Sequence, residues 1–373
     1  MFGVMNIGEI KKMKINSLRS IGKSIDQPVV VAKLGRATPA LLIGGAVVKC
    51  GIETYKAPEE KKKNTLIKTA LVLAGTIAGA LLASRQTLGS LSVKKTIENQ
   101  KKIADEILKN NKKLSENAKK LILKSGEGKV FSPKQIQELG QELSNLEADK
   151  AQKIMDKLIP PPVCTKAKDI IKELGSLSYL GLLPVIGGVV GGISGNIITD
   201  KKNWKKEVPD QVKEASFQYL ANIFLCNIGA AGALGALEFL SSKGQKWASS
   251  KTARVVGMAL GIMATGVLGG SAIANWISKK LINPIFETKE EKQERLLKEK
   301  NHEKESLFSE RKVELADMGL HIDDFATVGV FNGIKFIEPC LPILYSISGY
   351  KAGIGYRNGD EDIHSHTHKH SHH

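Results

Sequence analysis

Apolar and polar positions in this chain fall into long blocks, and the most extended apolar block lies near its middle. Leu177–Ile198 reads LSYLGLLPVIGGVVGGISGNII without a charge. As a helix rising 1.5 Å per residue, it is long enough to cross the roughly 30 Å hydrocarbon core of a bilayer. Gly187, Gly191 and Gly195 recur every fourth residue, with Gly188 and Gly192 beside them. One side of the helix is therefore nearly bare backbone, a surface suited to close helix packing.

The same kind of block recurs. Pro39–Ile52 is short and holds Lys49, which fits a span if the ammonium snorkels to a headgroup and otherwise fits half of a hairpin. Leu66–Ala83 and Phe217–Leu240 read as spans, the second carrying Asn222, Asn227 and Glu238. In Val255–Ile277, Gly257, Gly261, Thr265 and Gly269 repeat the small-residue spacing. Val328–Ile347 is the last block. Lys335 and Glu338 stand three residues apart inside it, and Pro339 and Pro342 follow. Charges at bilayer depth are costly and mark functional candidates, and prolines free helix carbonyls. Lys335 and Glu338 are therefore the candidate pathway residues, with a block that is no span as the alternative.

Between these blocks the pattern changes. Residues 85–172 are polar with helical periodicity: Val93, Ile107, Leu114 and Leu121 share one heptad position, interrupted by Gln100. Ser132, Pro133 and Gln135 form a capping pattern for a second helix, lined by Ile136, Leu139, Leu143, Leu146, Ile154 and Leu158 and stopped by Pro160–Pro162. The expectation is a helical hairpin. Either it packs on itself, or Ile107, Leu114 and Leu121 dock a protein partner or a second copy of the chain.

The predicted architecture is all-α: a multi-pass bundle of four to six spans with a polar helical-hairpin insert. Its segments are a basic start (1–36), a membrane hairpin (37–84), the insert (85–172), three Gly-rich helices (173–282), a charged helical connection (283–325), the last apolar segment (326–350) and a tail (351–373).

Charge sharpens this picture. The net charge of +17 is spread over the connections and the N-terminal segment, where seven Lys or Arg face only Glu9 and Asp26. Such a balance suits anionic headgroups. Nucleic acid is unlikely at 5% aromatics and with no recognisable module. The first 36 residues lack the apolar core of a secretory signal and fit a cytoplasmic anchor or a mitochondrial presequence. The expected location is the bacterial plasma membrane, with the mitochondrial inner membrane as the alternative.

Candidate chemistry is sparse. The four cysteines have no CxxC spacing, and no nucleotide, zinc-protease or hydrolase motif occurs, so no enzyme and no resident cofactor are expected. The tail gathers His364, His366, His368, His370, His372 and His373, a density that binds Zn, Ni or Cu weakly through exchangeable ligands. Function reads first as a membrane scaffold or tether presenting a helical surface. The alternatives are a small-solute or metal-cation transporter or channel and a protein that perturbs anionic bilayers.

Overall fold

A computed structural model describes residues 23–88, 92–159, 167–286, 292–293, 297, 322–332 and 334–355. Every regular element among them is helical. The chain divides into two compact units. The first comprises Met1–Thr38, Leu88–Val163 and Gly329–Cys340; the second comprises Pro39–Thr87, Cys164–Val328 and Leu341–His373.

The first unit contains α1 (Pro28–Gly35), α4 (Val93–Asn110), α5 (Glu116–Gly126), α6 (Pro133–Leu143) and α7 (Ala148–Leu158), with a 3-10 turn over Lys335–Cys340. The expected two-helix hairpin is four helices. The first helix ends at Asn110 because a new cap follows: the Ser115 side chain accepts from the Ala118 N–H and its hydroxyl lies 2.5 Å from Glu142. The second divides at Ser144–Glu147. At Ser132 the reciprocal capping box with Gln135 is formed, leaving two fewer helix-end donors unsatisfied.

This breaks the continuous seam into pieces that meet in one core. Ile107, Leu114 and Leu121 are buried there with Phe131, Leu139 and Leu158, so the seam expected for a partner is consumed inside the unit. Each such side chain stabilises by about 1.5–3 kcal/mol relative to exposure. Gln100, the interruption, is buried and accepts a hydrogen bond from the Ser125 hydroxyl at 3.2 Å. The N-terminal segment joins through Gln27, which donates to the Phe131 carbonyl and accepts from the Phe131 N–H, both at 2.7 Å.

The second unit contains α2 (Thr38–Lys56, from its second residue), α3 (Lys62–Thr87), α8 (Ala167–Thr199), α9 (Val208–Tyr219), α10 (Cys226–Ser242), α11 (Lys251–Ile262), α12 (Ser271–Ile277), α13 (Asn283–Phe286), most of α14 (Ile322–Phe331) and α15 (Leu341–Ile354). Three π-helical turns, Leu220–Leu225, Met263–Gly270 and Ser278–Ile282, join neighbouring helices. Among the described residues, four helical runs are long and apolar enough to cross a membrane: Pro28–Lys56, Glu59–Thr87, Ala167–Thr199 and Trp204–Ser242.

Glycine sets the packing around α8. A methyl group at Gly187 would collide with the Gly75 carbonyl, and one at Gly191 with the Leu71 carbonyl, so α3 lies against α8 backbone to backbone. Gly195 rests on Lys68. The adjacent glycines serve a second neighbour: Gly188 meets Gly349 and Gly192 meets Gly353, both on α15. Helix α8 is thus flanked closely on two sides because it has almost no side chains there.

The α10–α11 pair repeats the principle with a shift of register. Gly261 meets Gly229, and Gly257 meets the Leu237 side chain. Beyond these, the contact glycines are Gly266, against Cys226, and Gly270, against Ala221. Gly269, expected on this ridge, would meet only its own helix at Ala264. The cause is the π turn over Met263–Gly270: i→i+5 bonding takes up one extra residue and moves the contact face on by one position.

Candidate functional site

Along α9 and α10 runs a stripe of polar side chains with almost no access to solvent. Gln211, Glu214 and Gln218 are 0% exposed, Asn222 5% and Asn227 1%. Glu214, Gln218 and Asn222 recur every fourth residue and so lie on one helical face. They are also joined in one direction. The Gln218 amide donates to the Glu214 carboxylate at 2.7 Å, and the Asn222 amide donates to the Gln218 carbonyl oxygen at 3.0 Å. Both amides therefore donate in the direction of Glu214.

The π turn over Leu220–Leu225 extends this stripe. In an unbroken α-helix Asn227 would lie about 140° round from Asn222, five residues on at about 100° each. The i→i+5 turn absorbs the extra residue and brings Asn227 back toward the buried face. The Thr265 hydroxyl, from the facing π turn, lies 2.7 Å from the Leu225 carbonyl and 2.8 Å from the Gly261 carbonyl, supporting backbone acceptors where the helical ladder changes register.

At this point the stripe meets a second set of polar groups. Asp323 and Asp324, in the first turn of α14, are 4% and 5% exposed. Asp324 is within hydrogen-bonding reach of the buried Cys226 thiol. Tyr345, on α15, stands 3.4 Å from the Thr327 hydroxyl and has Asn227 and both aspartates around it.

Several of these groups lack partners. Among the described residues, Gln211 Oε1 makes no hydrogen bond, although the Gln211 amide donates to the Gly353 carbonyl at 2.7 Å, and the Asn227 amide nitrogen has only the Tyr345 hydroxyl beside it. Both amide atoms of Asn196 on α8 are likewise buried without a partner. A buried polar atom left unsatisfied costs about 1–3 kcal/mol, so these positions call for water or a polar solute.

The expected pathway residues lie elsewhere. Lys335 and Glu338 form an ion pair of 2.5 Å in the 3-10 turn of the first unit, where Asp26 accepts from the Phe336 N–H at 3.1 Å. The block Val328–Ile347 is not one helix: α14 ends at Phe331 and α15 starts at Leu341, with Pro339 in the turn between them. Glu238 does not stand alone at a helix end but pairs with Arg254 on α11 at 2.7 Å. The six histidines of the tail lie outside the described residues, and among the described residues no three His, Cys, Asp or Glu side chains gather as a metal site.

Sequence reading missed Glu214, Gln218, Asp323 and Asp324. The four-residue spacing of Glu214, Gln218 and Asn222 was the available signal. Comparison of the chain with protein-family models, curated proteins and solved structures gives no match. The buried polar stripe and its junction with the aspartate pair are therefore the features that speak to function.

Proposed function

We propose that the second unit is a membrane-embedded helical bundle that passes a small cation, as a transporter or channel, along the face of Glu214, Gln218, Asn222 and Asn227 to Asp323 and Asp324. The observation that carries this reading is the burial of that stripe within one of the four apolar runs. Ionisable groups placed inside a membrane are expensive and line ion or proton paths by default. The sign follows from the residues: the ionisable groups named on the path, Glu214, Asp323 and Asp324, are carboxylates. The basic connections suit anionic headgroups, as in a bacterial plasma membrane or the mitochondrial inner membrane. The tether reading has less support, because Ile107, Leu114 and Leu121 are occupied in the core of the first unit.

The test is flux through liposomes containing the purified full-length protein, read with proton, sodium and potassium reporters. Wild-type protein should dissipate at least one of these gradients. Glu214→Gln should slow it about tenfold, the effect of about 1.4 kcal/mol on a barrier. Glu338→Gln should leave the rate unchanged. Absence of flux for all three ions, or equal flux in Glu214→Gln, would overturn the reading.

A further inference from the structure

Helices α2, α3 and α15 form a half-open cavity of about 280 Å³ whose wall is chiefly apolar, with Leu41, Gly45, Leu73, Ile77, Ile343 and Ile347 facing it. One feature distinguishes it from a packing defect. Lys49 and Tyr350 line it, with the ammonium 5.1 Å from the centre of the Tyr350 ring. The cavity therefore combines an apolar body and a cation.

We infer that this cavity holds one acyl chain of a membrane phospholipid, with the headgroup phosphate at Lys49. The volume lies near the lower end of ligand sites, which run about 300–1,000 Å³, and suits one chain better than a whole lipid. Lys49 already pairs with Glu53 at 2.5 Å, but an ammonium has three N–H donors and Glu53 takes one. From Lys49 to Lys63 the helix ends and their connection also carry Lys56, Lys61, Lys62 and Lys63 against Glu53, Glu59 and Glu60, so this end of the hairpin stays net positive. Around the cavity, α2 exposes Leu41, Ile43, Val47 and Val48 at 54–67% of their surface, as a helix facing acyl chains would. This inference rests on the membrane placement above and not on the cation path.

Gly45 provides a clean test, because a side chain added there meets nothing within 4 Å and would grow into the cavity. Full-length protein is incorporated into liposomes containing phosphatidylglycerol with a diazirine on one acyl chain, irradiated, and its adducts are mapped. Wild-type protein should be labelled within Leu73–Ile77 or Ile343–Ile347. Gly45→Leu should lower that labelling about tenfold, the equivalent of about two buried methylenes. Gly232→Leu, at another glycine with open space, should not change it. Lys49→Met should remove the preference for phosphatidylglycerol over phosphatidylcholine. Protein that floats with the liposomes but gives no adduct at these peptides, or equal adduct in Gly45→Leu, overturns the inference; an unaltered lipid preference in Lys49→Met overturns the headgroup assignment. Protein that does not float at all overturns the membrane placement along with it.

Discussion

The two units are held together by opposite means. The first fills its interior with Leu, Ile and Phe side chains, three of its helices start at a serine cap, and buried polar groups such as Gln27 and Gln100 are hydrogen-bonded. In the second, helix backbones touch across glycines, and carboxylates and amides are buried along one run. A core of branched side chains can dispense with interior polar groups because apolar burial in water is enough to hold it. In lipid that drive is missing, so close backbone contact and interior hydrogen bonds take its place.

Removing carbons should break the first unit, and adding one should break the second. Leu139→Ala, at a side chain that is 0% exposed, should destabilise the first unit by about 3 kcal/mol, read by hydrogen exchange of α4–α7 in the full chain. A loss under about 1 kcal/mol would mean that the core is loosely packed. Gly187→Ala should cost about 2 kcal/mol, because its methyl meets the Gly75 carbonyl and the helices must part. Gly232→Ala, where nothing lies within 4 Å, should be neutral or stabilising through helix propensity. Thermal unfolding in detergent separates the two, and equal behaviour would remove glycine contact from the explanation.

A smaller effect probes the first unit by pH. Burial raises the Asp26 carboxyl, against the opposing hydrogen bonds from the Phe336 and Lys335 backbone and the charge of Lys335. The folded unit then holds its proton to higher pH than the unfolded chain. Stability should fall as pH rises from the ordinary carboxylate range through the raised value, and should be level above it. Asp26→Asn should abolish that slope; an unchanged slope in urea titrations across acid pH would assign it to another group.

How legible all this was in the sequence varied with the regularity of the backbone. Gly187, Gly191 and Gly195 could be picked out because the helix around them is regular, so a four-residue spacing marks a face. Gly266 and Gly270 could not, because the π turn moves the contact face by one residue and nothing in MATGVLGG announces it. The helical insert was legible through its hydrophobic period, but its division at Asn111 and Ser144 depended on cap chemistry that the heptad pattern overrode. Glu214 lies in the stretch before Phe217, which reads as a solvated connection until tertiary packing buries it, and Gln218 is the second residue of the apolar block that begins there. Asp323 and Asp324 close a long charged segment, and local sequence does not distinguish a buried carboxylate from a hydrated one.

The central claim is that water reaches the stripe from Asn222 to Asn227 inside the bundle. Single cysteines at Asn222, Asn227 and, as a control, Ile223 on a background with the native cysteines replaced can be exposed to a membrane-impermeant thiosulfonate in sealed liposomes. Ile223 is 1% exposed and its side chain packs against Gly181 on α8. Labelling at positions 222 and 227, with 223 protected, is the expected result. Protection at all three, or equal labelling at all three, would contradict a polar path through this helix.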